Sequence, residues 1–485
     1  MNKQQSEKNL PSPLISAIPL LVLVILLTIT IKIFGSDALS GGIQIDLLTA
    51  TGVVCLLAMS LCTVKWSDIE NAICKNIHGV ATAMIILLLI GALSGSWMIS
   101  GIVPTMIYYG MKLIHPDFFL IATCIICAVV SLMTGSSWTT IATIGVALMG
   151  IGKAQGFADG WIAGAIISGA YFGDKISPLS DTTLLASSIT DTPLFSHIRY
   201  LMYTTIPSII ITLVIFLIAG FFNTTAPSTQ VALFTDSLTE TFHISLWLLV
   251  VPIITALLIS RQVPSLVTLF ISSLLAGVCA LVVQKDLLLE ISQCSTINFD
   301  SLFKGLFSTY YGSTSIETGH DALNSLVATR GMSGMMNTIW IIICSMCFGG
   351  AMQASGMLSS LTNTLTKFMK NGIGMVSSTA LCGIFLNFIV AEQYVSIILT
   401  GNMFKDIYKR KGYDSRVLSR TTEDSATVTS VLVPWNTCGM TQATILNVST
   451  WTYLPYCFFN LISPFMSIFM MAIGYKILRI NKDIL

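Results

Sequence analysis

Apolar runs long enough to cross a bilayer recur along this sequence, and nothing else constrains its fold as strongly. Pro13–Phe34, Asp46–Val64, Phe118–Met133, Ile206–Phe222, Phe242–Ser260 and Gln262–Val283 each approach or exceed the span of a hydrocarbon core. Inside lipid a backbone must satisfy its own hydrogen bonds, and runs without strict two-residue alternation do so as helices. Of 485 residues 54% are hydrophobic and 10% charged, against about 25% charged in soluble domains. The expected fold class is therefore an all-α polytopic membrane protein. The opening lysines precede an apolar run that reaches Phe34, too long for a signal peptide, so it reads as the first span. A net charge of +1 gives nucleic acid no purchase.

Against this background Gly173 to Ala186, GDKISPLSDTTLLA, stands out. Charges at mid-membrane cost at least about 2.5–3.5 kcal/mol each, so Asp174, Lys175 and Asp181 must face protein or water and are candidate working residues. Pro178 has no N–H for the carbonyl of Asp174, which predicts a helix break with a free carbonyl oxygen. Broken backbone at membrane depth belongs where it lines a cavity. Carboxylates with Ser177, Ser180, Thr182 and Thr183 form a hard oxygen set suited to Na+ or a proton. The Na+ site is expected at Asp174 and Asp181.

Along the chain, Trp66 to His78 reads as a polar or amphipathic connection. A third segment from about Gly79 is interrupted at Gly91, Gly95 and Gly101, then resumes through Ile102–Ile114. A polar loop, 223–241, closes a first half of 13–222. The second half, 242–483, contains a long, mostly polar connection at 284–333 and a basic loop at 405–420. The pattern then returns at a spacing of 255–256 positions. Ser100-Gly101 recurs as Ser355-Gly356 and Gly95 as Gly350. Pro178 falls on Pro434, Ser180 on Asn436, Asp181 on Thr437, Asp191 on Asn447 and Tyr200 on Tyr456.

Placing residues 1–12 inside puts most of the 24 basic residues on the inner side, with Lys112, Lys153, Lys285, Lys304 and Arg330 outside. Connection 65–78 is then inside while its counterpart 284–333 is outside, so the repeats are inverted, an arrangement of secondary transporters with discontinuous helices. Both termini are expected in the cytoplasm of an inner-membrane protein, and a homodimer is compatible with the pattern.

Under this symmetry four polar clusters converge: Ser136, Ser137 and Thr139; the 174–183 stretch; Glu392, Gln393 and Tyr394; and 423–439, with Asn436 and Thr437 after Pro434. Asp174, Asp181, Glu392 and Asp424 are the ion- or proton-binding candidates. Lys175 is their charge partner, expected to pair with Asp174 or Asp181. Asp424 is expected near a helix start, where an anion is favoured; Glu423 reads as an inner-surface residue beside Arg420, and Asp191 as a turn residue. Desolvation raises and a neighbouring cation lowers a carboxyl's proton affinity, so one group can hold a proton or Na+ in turn, and competition gives exchange.

The CxxC pairs Cys124/Cys127 and Cys344/Cys347 sit in apolar runs and read as packed small residues rather than zinc ligands. No Walker A sequence or HExxH is present, and no enzyme or bound cofactor is expected. Tyr171-Phe172-Gly173-Asp174 is the one hint of an intramembrane protease. GDKISPLSDTT, the GSSW before it, EQY, and WNTCG with YLPY resemble the motifs of the NhaC-type sodium/proton antiporter family across nearly the whole chain. The resemblance implies an inverted-repeat, elevator-type transporter with Na+ efflux coupled to H+ entry. It also admits exchange of small organic acids of the malate and lactate kind, and both readings stay open at this point.

Overall fold

The computed structural model describes residues 10–34, 41–222, 228–261, 263–318, 323–324, 327–366, 369 and 371–480. Residues 1–9 of the expected cytoplasmic N-terminus, 223–227 of the connecting loop and parts of 284–333 lie outside the described residues. The protein is helical, and two isolated bridges, Thr314 with Thr329 and Tyr413 with Arg479, are the extended pairings among the described residues. Among the described residues eight helices are long and apolar enough to span a membrane, or up to ten if each of two bent pairs counts as one. The spanning helices carry large apolar side chains on their outsides. On Ser265–Val283, for instance, Phe270, Leu274, Val278 and Val282 form an exposed stripe at four-residue spacing. Water would not tolerate such a surface, whereas lipid requires it. The chain is an all-α polytopic membrane protein.

Four expectations are corrected. Trp66 to His78 is not a separate connection: it forms the first turns of one 34-residue helix, Trp66–Ile99. Gly91 and Gly95 do not interrupt that helix. A Cβ at Gly91 would lie 2.5 Å from the Gly331 carbonyl oxygen, and one at Gly95 2.3 Å from that of Thr309. These glycines let backbones touch, and the break comes at Gly101, whose φ of 81° is left-handed. The polar stretch before Thr241 contains a helix, Ser228–Thr241, anchored where Leu238 and Phe242, one turn apart, are buried. The basic stretch 405–420 is mostly helical too. Gln393–Arg410 runs into it and Ser415–Thr422 leaves it, because Phe404, Tyr408, Val417 and Leu418 are buried.

Among the described residues the 284–333 connection includes the helices Lys285–Ser292 and Phe299–Tyr311, the second packed on Trp66–Ile99. The helices that matter for the site lie elsewhere. Asp159–Ile176 packs along Phe119–Thr134, with Gly169 and Gly173 facing the Cys124 and Ala128 carbonyl oxygens at 2.1 and 2.2 Å from where a Cβ would stand. This close approach fixes Asp174 and Lys175, which follow at once.

Candidate functional site

Asp159–Ile176 ends at Ser177, and a new helix, Asp181–Ile189, starts after Pro178 and Leu179. The predicted break is there, but the Asp174 carbonyl is not free: the Ser177 N–H donates to it at 3.1 Å. The chain tightens after Asp174 instead of running straight into the proline, which gives the orphaned oxygen a donor. Ser177 and Thr183 tie the break down. The Ser177 hydroxyl donates to the Leu132 carbonyl at 2.8 Å and that of Thr183 to the Lys175 carbonyl at 3.0 Å. Ser180 caps the new helix, accepting from the Thr183 N–H, and lies 3.0 Å from the Thr182 hydroxyl.

Asp174 is half-buried and turns to a second helix start. Oδ2 accepts the Ser137 N–H at 3.1 Å and its hydroxyl at 2.7 Å, with the Ser180 hydroxyl beside the same carboxylate. Ser136 caps this start, and the Thr139 N–H and hydroxyl both donate to its oxygen, at 3.2 and 3.0 Å. The helix continues through a widened π turn, Ile141–Gly145, into Val146–Ala154. The carboxylate therefore occupies the positive end of a helix dipole. Asp181 is exposed, in the first turn of its own helix. Glu392 caps Gln393–Arg410, accepting from the Val395 N–H at 2.7 Å. Tyr394 lies within electrostatic reach of Asp174, Asp181 and Glu392 together. Three carboxylates thus stand at three helix N-termini, with one phenol within electrostatic reach of each.

The fourth cluster departs from expectation. Asp424 and Glu423 are not near a helix start or at the surface. Both are wholly buried in a π turn, Glu423–Thr427, that prolongs Ser415–Thr422. In mid-helix Asp424 has no free N–H to accept from, and Lys175 fills the need: its Nζ donates to Asp424 Oδ1 in a buried ion pair. Lys175 does not pair with Asp174 or Asp181. Adjacent residues project about 100° apart on a helix, so Asp174 turns to Ser137 while Lys175 crosses to the other half of the chain. Asp191 is the expected turn residue, with a φ of 52°, and its exposed carboxylate pairs with Lys405.

The polar residues of the second half serve as struts. Gln393 Nε2 donates to the Thr427 carbonyl at 2.9 Å and its Oε1 receives the Cys438 thiol at 3.2 Å. Asn436 caps Thr437–Leu446 and donates to the Asn387 carbonyl, while the Thr437 N–H donates to the Ala391 carbonyl at 2.9 Å. Two features escaped the sequence reading: buried Asn387, which donates to the Ala426 carbonyl at 2.8 Å, and buried Arg420. The hydroxyl run from Thr421 to Ser430 was the available signal. Thr421, Thr422, Ser425 and Thr429 each donate to a carbonyl four residues earlier, the way a helix hides polar side chains from lipid. Among the described residues no three His, Cys, Asp or Glu side chains form a group able to hold a metal ion, so a monovalent cation here would rely on one or two carboxylates with hydroxyl and carbonyl oxygens.

A sequence profile described as the Na+/H+ antiporter family matches residues 8–184 and 169–475. The chain is 36% identical over 423 residues to the malate-2H+/Na+-lactate antiporter of Bacillus subtilis (strain 168), covering 87% of each chain. It is 35% identical over 435 residues to the Na+/H+ antiporter NhaC of Alkalihalophilus pseudofirmus, covering 89% of this chain and 90% of that one. To the NhaC of Bacillus subtilis it is 33% identical over 405 residues, covering 83% and 86%. Broken helices, carboxylates at their N-termini and a match running through nearly all of the sequence lead to one conclusion: the chain belongs to the Na+/H+ antiporter family.

Proposed function

We propose that this protein exchanges Na+ for H+ across the cytoplasmic membrane, extruding Na+ as protons enter. The observation that carries the reading is the ion pair of Lys175 with Asp424, which joins the two halves of the chain beside Asp174. Asp174 and Asp181 hold Na+ with oxygens of Ser136, Ser137, Thr139, Ser180 and Thr182 around them. Tyr394 and Glu392 complete the wall, and Asp424 with Glu392 carries protons. A proton arriving on Asp174 cancels the charge that holds Na+ and releases it. Lys175 balances the charge of Asp424 whenever that carboxylate is unprotonated. The ions are cargo, and the reading calls for no bound cofactor.

The halves 13–222 and 242–483 are read as inverted repeats moving in an elevator-like cycle, with both termini inside. Backbone equivalences support the repeat. Gly101 and Gly356 are both left-handed, at 81° and 71°. Ser136 and Glu392 both cap helices after left-handed Gly135 and Ala391, Ser180 and Asn436 both cap the helices after the prolines, and Asp191 and Asn447 end those helices at φ of 52° and 53°. The π turn of Glu423–Thr427 has no twin in Asp159–Ile176, so the repeats differ where Lys175 meets Asp424.

The test is flux in proteoliposomes with internal pH and 22Na+ followed together. A Na+ gradient alone driving protons in the opposite direction supports the reading. No movement until malate or lactate is added favours the second reading, organic-acid exchange coupled to Na+ and H+, which the name of the 36%-identical relative brings to mind.

A further inference from the structure

Arg420 and Glu423 stand three residues apart on Ser415–Thr422 and its continuation, and both are wholly buried. None of the guanidinium nitrogens has a hydrogen-bond partner among the described residues. Neither Glu423 oxygen has a partner of ordinary geometry, although Thr427 lies beside that carboxylate. Spacing of three brings side chains on a helix face together, yet no ion pair joins these two. The guanidinium carbon rests 4.7 Å over the ring of Tyr200. The other titratable groups facing this region include Tyr408 from Gln393–Arg410, His197 from Leu194–Phe222, which contacts Ser419 at 2.7 Å, Asp174 and Lys175 from Asp159–Ile176, Asp424 beside Glu423, and Asp414 and Arg416 beside Tyr200.

A guanidinium keeps its charge under all ordinary conditions, and leaving it buried without a hydrogen-bond or ion-pair partner is among the costliest arrangements in a protein interior. Surface charges would be screened by salt, but buried ones act on each other over several ångströms. Asp174, Asp181, Glu392, Glu423 and Asp424 bring five carboxyl groups to the centre against two cationic side chains, Lys175 and Arg420. The surplus is negative, which suits a site that must always hold a cation.

We infer that Arg420 is a positioning charge rather than a ligand: it sets how tightly the carboxylates hold Na+, and Glu423 balances it. The inference rests on the Na+/H+ reading and adds to it the residue that tunes affinity. Arg420 acts through the field, so its charge matters more than its shape.

The experiment is equilibrium binding of 22Na+ to the purified full-length chain by scintillation proximity at fixed pH. Arg420→Gln should tighten Na+ binding by about tenfold, an effect of the size that one unit charge exerts through a protein interior at an effective dielectric of about 20. Glu423→Gln should weaken it by a similar factor. Arg420→Lys should stay close to wild type, and the double variant Arg420→Gln/Glu423→Gln should return to it. Unchanged affinity in Arg420→Gln overturns the inference, as does a lysine variant that behaves like the glutamine one. If Arg420→Gln does not fold, Glu423→Gln and the double variant decide together: weakened binding in the single variant with wild-type affinity in the double supports the proposal, and any other combination overturns it. A wild-type protein that binds no Na+ would instead sink the functional reading itself.

Discussion

Lys175 Nζ donates to Asp424 Oδ1 although 249 positions separate the two residues, and both are buried. No other ion pair among the described residues joins the two halves so deep in the protein. Breaking a buried pair by removing one partner costs about 3–5 kcal/mol, because the other charge is left stranded. Asp424→Asn is therefore expected to lower the melting temperature in detergent sharply and to abolish exchange. Lys175→Met combined with Asp424→Leu should regain much of the stability but none of the transport. A single variant as stable as wild type would show that the pair is not held in the native state.

Ser137 gives both its N–H and its hydroxyl to Asp174. Only the hydroxyl can be deleted, and hydrogen bonds to charged groups contribute about 1.5–3 kcal/mol. Ser137→Ala should raise the Na+ concentration for half-maximal exchange tenfold or more with little change in folding. Asp174→Asn should remove exchange altogether. Both are read from Na+-driven proton flux in proteoliposomes, and an active Asp174→Asn protein would move the cation site elsewhere.

Gly173 faces backbone, with the Ala128 carbonyl oxygen 2.2 Å and the Leu132 nitrogen 2.6 Å from where a Cβ would sit. Backbone cannot swing aside, so Gly173→Ala should push two helices apart at a cost of about 1–3 kcal/mol. Asp174, next in sequence, should lose its contact with Ser137 and transport should fall in proportion. Gly412 is the control. It has open space around it but a φ of 74°, so Gly412→Ala should cost about 1 kcal/mol of stability and leave flux unchanged.

Asp414 caps Ser415–Thr422 outside the spanning helices, and hydrogen bonds from Arg416 hold its carboxyl below the usual range. A lowered value means that the stabilisation is complete above about pH 3.9, the unfolded value, and goes as the pH falls through the folded one. Asp414→Ala should cost about 1 kcal/mol at neutral pH, as lost caps do. Thermal unfolding should show wild type and variant converging as the pH drops below about 4.

The sequence by itself determined that the chain crosses a membrane as helices, because apolar runs of bilayer length leave the backbone one economical solution. It also determined four of the places where helices break. Pro178, Pro434, Gly101 and Gly356 are local instructions about φ and missing N–H groups, and the chain obeys each of them within a few residues. Local pattern likewise identified Asp174, Asp181, Glu392 and Asp424 as polar residues in apolar company. What only the tertiary structure decided is which of these meet. Glu423 and Asp424 look in sequence like the edge of a basic surface loop, yet Arg420, Glu423 and Asp424 are all buried, because Val417 and Leu418 draw their helix inward and hydroxyls bonded to the backbone disguise its polarity. Lys175 took a partner from the opposite half rather than its neighbour Asp174, since helix geometry points adjacent side chains apart. Gly91 and Gly95 read as helix breaks, whereas each marks where another backbone passes. Local rules fix backbone torsions one residue at a time, but the pairing of charges depends on distances that exist only once the helices have packed.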